Sequence, residues 1–162
     1  MNKYRTLTYQ ELDILQEDFV DFLYLEGFSK FDWRILLEQH SEFALDMLNR
    51  YSDQAFEKVM KTVDYLEKLK NGRLTTVYCH SKYFDIAAID LNLSQSSLYL
   101  NRRLLSDVTS ELQLGVSKIY LKKVDFSIER EQEIFDLIER GFQHTTSDNY
   151  FFIKELKKSQ EN

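Results

Sequence analysis

The chain has 162 residues, 43% hydrophobic and 14% aromatic, with no proline and four glycines. This is too much core material for a disordered segment, and a chain of this length buries a core without metal or disulfide support. The formal charge is −6, with 9 basic against 14 acidic side chains over residues 1–70 and 7 against 5 over residues 71–126, a balance that argues against general nucleic-acid binding.

Thr8 followed by Glu11 has the spacing of a capping box, and Leu12, Leu15, Phe19, Phe22 and Leu23 recur at helical period up to Gly27, a stop signal. A short helix is expected from Asp32, with Trp33, Leu36 and Leu37 inward. A longer one is expected from Ser41 to Lys70, with Leu48, Phe56, Val59, Val63 and Leu66 on its buried stripe, Ser52 as its one plausible interruption, and Asn71-Gly72 as its close. The period then changes. Arg73 to Cys79 and Tyr83 to Leu91 are β-branched and aromatic runs joined by His80-Ser81-Lys82, which suits a hairpin. In the second run Ile86 and Ala88 face one way and Ala87 and Ile89 the other, as in a strand covered on both faces or lying inside its sheet.

Leu104, Leu105, Val108 and Leu112 suggest a helix over residues 102–113, and Val116 to Val124 a third strand. Ser127 is the expected cap of a helix that carries Ile134, Phe135, Ile138 and Phe142 inward and ends at Gly141. The tail fits a helix capped by Ser147 or Asp148, or an edge strand over Asn149 to Ile153; a helix is expected. These elements give an α+β fold: a helical N-terminal half packed on a small three-stranded sheet, with further helices at the C-terminus, as a single domain over residues 1–162.

Several chemistries lack their residues. His40, His80, His144 and the single Cys79 form no ligand-spaced set, and adjacent strand residues such as Cys79 and His80 point to opposite faces. Glycines at 27, 72, 115 and 141 spell neither phosphate-loop signature. Asp85 and Asp90, five apart on one strand, face opposite ways and make a poor catalytic pair. No metal or cofactor is expected. A lone cysteine, no signal-peptide pattern and no apolar run of about 18 residues point to a cytoplasmic protein with no membrane attachment.

One surface is unusual. Residues 9–29 hold six acidic and no basic side chains, and Asp13, Glu17 and Asp21 recur every fourth residue beside Val20 and Tyr24. Like charges at this spacing each cost a helix about 0.2–0.5 kcal/mol unless neutralised. A solvated face that keeps the chain soluble explains the row; so does a docking face, Asp13, Glu17, Asp21 and Tyr24, for a protein with a basic surface.

Four stretches, Tyr4-Arg5-x-Leu7-Thr8-x-x-Glu11-Leu12, Phe19-Val20-x-Phe22-Leu23, Ser52-Asp53-x-x-Phe56-Glu57-Lys58-Val59 and Glu131-x-Glu133-Ile134-Phe135-x-Leu137-Ile138-Glu139-x-Gly141, resemble an uncharacterised bacterial family of Bacteroidetes type. The resemblance implies a bacterial, cytoplasmic setting and no particular substrate or catalytic residue. The functional expectation is a non-enzymatic interaction or regulatory protein with an acidic docking helix. The alternative is a small enzyme or ligand-binding protein with a pocket between helices and sheet that uses Asp90, Cys79 or His80. RNA contact through Lys118, Tyr120, Lys122 and Lys123 is a third.

Overall fold

In the computed structural model, which describes residues 2–107 and 114–162, the chain divides into two compact units, Met1–Lys61 and Thr62–Asn162. The first is helical. The Thr8 hydroxyl accepts the Glu11 amide while the Glu11 carboxylate accepts the Thr8 amide, and this box starts α1, Tyr9–Ile14. Leu15 interrupts the helix (φ −94, ψ 17) before α2, Gln16–Leu25. Gly27, at φ +91, ends α2 where a side chain would be strained; the Phe28 amide reaches back to the Leu23 carbonyl and the Gly27 amide to that of Tyr24. A second capping box, Ser29 with Asp32, starts α3, Lys30–Gln39, and α4 runs over Ser41–Met60. Leu7, Phe19, Phe22, Leu23, Met47 and Tyr51 are the buried centre of this unit.

Ser52 does not interrupt α4. Its hydroxyl donates to the Leu48 carbonyl one turn back, so the residue stays helical and fully buried. The helix does end ten residues earlier than expected. Val63 and Leu66 continue its apolar spacing, but Thr62-Val63-Asp64-Tyr65 is poor helix material, and Asn71-Gly72 closes a hairpin and not a helix. Val59, expected to be buried, is 53% exposed.

The second unit corrects the three-stranded expectation: it holds a five-stranded antiparallel sheet. Its strands are β1 (Tyr65–Lys70), β2 (Arg73–Cys79), β3 (Tyr83–Asp90), β4 (Ile119–Asp125) and β5 (Gln143–His144), in spatial order β4-β3-β2-β1-β5. The first hairpin pairs Lys70 with Arg73 across Asn71 (φ 53) and Gly72 (φ 75), the two positive values that a two-residue turn of matching twist requires. Its second strand was legible and its first was not.

Register sorts the side chains. Glu67, Thr76, Ala87 and Leu121 stand abreast on one face, together with Tyr65, Leu69, Leu74, Asp85 and Ile89. Within this unit the helices on that face are α5 (Leu93–Arg102) and α7 (Asp148–Glu161), whose Tyr99, Tyr150 and Ile153 join Leu74, Ala87 and Ile89 in the core. Small Ala87 leaves room for a helix on that face. The opposite face carries Leu66, Val77, Cys79 and Phe84 buried near one end and Lys70, Arg73 and Tyr120 exposed near the other.

The helix expected over 102–113 lies elsewhere. An Asn92–Gln95 capping box starts α5 nine residues earlier, and Arg103, at φ 64, ends it. Residues 105–107 form a 3-10 turn, and positions 108–113 lie outside the described residues. Between β4 and β5, α6 spans Arg130–Glu139 with Glu129 at its cap position. Ser127 is not the cap; its amide and hydroxyl both donate to the Glu133 carboxylate. The tail is helical, as expected.

Candidate functional site

The acidic row lies in the first unit. Leu15 breaks it, so Asp13 belongs to α1 while Glu17 and Asp21 belong to α2. All three carboxylates are exposed, and among the described residues none is within ion-pair reach of a cation. Their acidic neighbours differ. Glu11 takes two 2.8 Å bonds from Arg5, whose guanidinium holds the Glu11 carboxyl at about 2; Asp18 accepts the Tyr51 hydroxyl at 2.8 Å; Glu26 pairs with Arg50 at 3.0 Å. Carboxylates turned toward the unit are satisfied. Those of the row are left to solvent.

Beside the row lies a groove of about 290 Å³ between α1, α2 and α3. Phe19 and Trp33, with rings edge to face at 5.1 Å, line it together with Leu12, Val20 and Leu23. Asp13 lines it from α1, and Lys30 and Arg34 line it from α3. These opposite charges share the groove yet do not meet within 4.0 Å. Exposed apolar side chains continue the surface: Tyr9 and Leu37, 84% and 52% exposed, belong to the lining. Glu17, Asp21 and Tyr24 lie outside the lining, on the exposed surface of α2. Thus, of the expected set, Asp13 alone lines this groove. Lys30 and Arg34, four apart on the next helix, are the sequence signal for the basic wall.

The residues of the enzyme reading do not converge. Cys79 is buried at 2% exposure, and burial pushes its thiol up to about 12, which leaves almost no thiolate at neutral pH. His80 stacks on Tyr83, ring centroids 4.3 Å apart. Asp90 pairs with Arg73 at 2.7 Å and accepts the Tyr120 hydroxyl at 3.0 Å, while Asp85, on the other face, takes bonds from Tyr150 and Lys154. Among the described residues no group of three or more His, Cys, Asp or Glu side chains is placed to hold a metal ion, and no helix is long and apolar enough to cross a membrane. Of the RNA set, Tyr120 and Lys122 share one sheet face and Lys123 takes the other, over the Tyr83 ring at 4.9 Å.

One polar cluster escaped the sequence reading. Glu67, nine-tenths buried, accepts the Tyr99 hydroxyl and the Asn149 amide, and Asn149 also bonds the Leu105 amide and the Arg103 carbonyl. Every polar atom named here is partnered, so the cluster ties α5 and α7 to β1. Nothing in the sequence marks it, because three residues 32 to 82 positions apart meet only once the sheet has formed.

The profile of a family of unknown function, DUF6495, matches residues 1–158. No curated protein and no solved structure matches the chain.

Proposed function

The chain belongs to this family of unknown function, DUF6495, and from that premise we propose that it is a non-enzymatic interaction or regulatory protein whose first unit docks an amphipathic helix of another protein. One observation carries the reading: an apolar groove open to solvent is walled by opposite charges that have no ion-pair partner among the described residues. Its occupant is a helix with an apolar face for Trp33 and Phe19, Lys or Arg on the margin toward Asp13, Glu17 and Asp21, and Asp or Glu on the margin toward Lys30 and Arg34. The partner is therefore basic where it meets α1 and α2. The single, buried thiol suits a reducing compartment, and a bacterial cytoplasm is part of the same proposal.

Trp33 is the one tryptophan of the chain and lines the groove, so its emission reports occupancy. The probe is a synthetic amphipathic helix with leucines on one face, lysines on one margin and glutamates on the other; the control exchanges the margins. The first peptide should shift Trp33 emission saturably and the control should not. Exposed ion pairs contribute about 0.2–1 kcal/mol each, so Asp13→Lys/Glu17→Lys/Asp21→Lys should weaken the peptide by about threefold to a hundredfold. Equal binding of both peptides, or no response to either, would remove the docking groove. A dimer of the free chain that the triple variant dissociates would make the occupant a second copy and overturn the partner proposed.

A further inference from the structure

The second unit holds a larger concavity, about 690 Å³, at the β1–β2 turn. Its lining includes Lys68, Lys70, Arg73, Thr75, Asp90 and Phe142. The register explains why these side chains converge. Lys68 and Lys70 alternate along β1, and their directly paired residues are Thr75 and Arg73, so all four stand on one face. Three cations against one carboxylate thus gather at a single cleft of a chain whose net charge is −6.

The cations are held differently. The Arg73 guanidinium is fixed by Asp90, at 2.7 and 3.3 Å, and lies 4.2 Å over the Tyr120 ring. The Lys68 ammonium donates to the Arg140 carbonyl at the end of α6, which leaves two of its three N–H bonds for another acceptor. Neither Lys68 nor Lys70 has a carboxylate within 4.0 Å among the described residues. The turn between the strands is tied to Leu91. The Leu91 amide donates to the Gly72 carbonyl at 2.6 Å, and a Cβ at position 72 would stand 2.8 Å from the Leu91 carbonyl oxygen. Phe142 supplies an aromatic wall, with Lys68 5.7 Å from its ring centre.

We propose that this cleft binds a small, multiply charged phosphate compound, with Lys68, Lys70 and Arg73 taking the phosphate oxygens and Phe142 flanking the organic part. Its volume is that of a small-molecule site, and oxyanions match a pre-oriented guanidinium beside two under-committed ammonium groups. A phosphate chain of a nucleic acid offers the same oxygens, but the acidic chain repels a long polyanion outside the cleft, so a free phosphate compound is the occupant. This site stands apart from the docking groove and does not depend on it.

The test is calorimetric titration of the full chain with inorganic tripolyphosphate at about 0.15 M salt. Saturable binding to one site is expected, weakening by about tenfold or more in Lys70→Glu and by less than about twofold in Lys122→Glu, an exposed lysine of the same face outside the cleft. Lys70 is exposed, so its variant should keep the wild-type melting temperature, which is measured alongside. A 20-residue oligouridylate is the second arm. Absence of tripolyphosphate binding, an equal loss in the two variants, or binding of the oligonucleotide alone would each overturn the proposal.

Discussion

Ser52 accepts the backbone amide of Leu7 at 3.0 Å from the middle of a helix 45 residues away, and its hydroxyl proton goes to the Leu48 carbonyl at 2.7 Å. Asp53, the next residue, accepts the amides of Lys3 and Tyr4, and Glu57 accepts from the Tyr4 hydroxyl and the Lys3 ammonium. The Arg5 guanidinium covers the Phe56 ring at 4.8 Å. Two of the stretches that carry the family resemblance are thus halves of one clamp, which pins the N-terminal segment along α4.

Ser52→Ala should therefore do more than remove a hydroxyl. It orphans a buried amide, and an unsatisfied buried donor costs about 1–3 kcal/mol. Urea unfolding followed by circular dichroism should show this loss as a lower midpoint with an unchanged slope. A stability equal to wild type would mean that water replaces the serine and that the clamp is not closed there.

Acid should loosen the same region. Arg5 holds the Glu11 carboxyl at about 2, against an ordinary value of 4.5. A depressed carboxylate adds stability above its unfolded value, and that contribution fades as the pH falls from 4.5 toward 2. Both side chains are about a third exposed, so the screened contribution is about 0.2–1 kcal/mol. Glu11→Gln should be less stable than wild type by that amount at pH 7, and the gap should close by pH 2; a constant gap would leave the ion pair without a role.

The Glu67 cluster makes a graded prediction. Tyr99→Phe withdraws one donor from a buried carboxylate and should cost about 1–3 kcal/mol. Asn149→Ala removes bonds to Glu67, the Leu105 amide and the Arg103 carbonyl together, so its cost should be the larger of the two. Thermal unfolding of both variants and their double mutant checks the order. Additive losses would show that the tyrosine and the asparagine do not act through the shared glutamate.

Cys79 should resist labelling. With its thiol at about 12 and its side chain buried, a disulfide reagent at pH 8 should modify the folded protein slower than the urea-unfolded chain, by on the order of a hundredfold or more. Rapid labelling of the folded protein would place the thiol at the surface.

The first caps and the hairpin of β2 with β3 were legible in the sequence, while the pairing of β1 and β5 was not. Thr8 with Glu11 and Gly27 after Leu25 read correctly because caps act within one turn. Tyr65–Lys70 reads as helix because Val63 and Leu66, three apart, continue the apolar spacing of α4, and only the cross-strand partners Leu74 to Tyr78 decide for a strand. β5 has two residues and no pattern that a sequence can carry. The acidic row was visible as spacing, but the break at Leu15 and the basic wall from α3 depend on how three helices meet.

The brevity of β5 also bears on how copies of the chain behave at high concentration. It covers β1 only at Leu66 and Glu67, so the outer margin of the sheet from Lys68 to Lys70 has no strand beside it among the described residues. Lysines occupy that margin, and Lys122 and Lys123 occupy the strand at the far margin. A foreign strand adding at either side would have to strip water from ammonium groups, so fibril-like stacking is opposed by charge where strand length offers no protection.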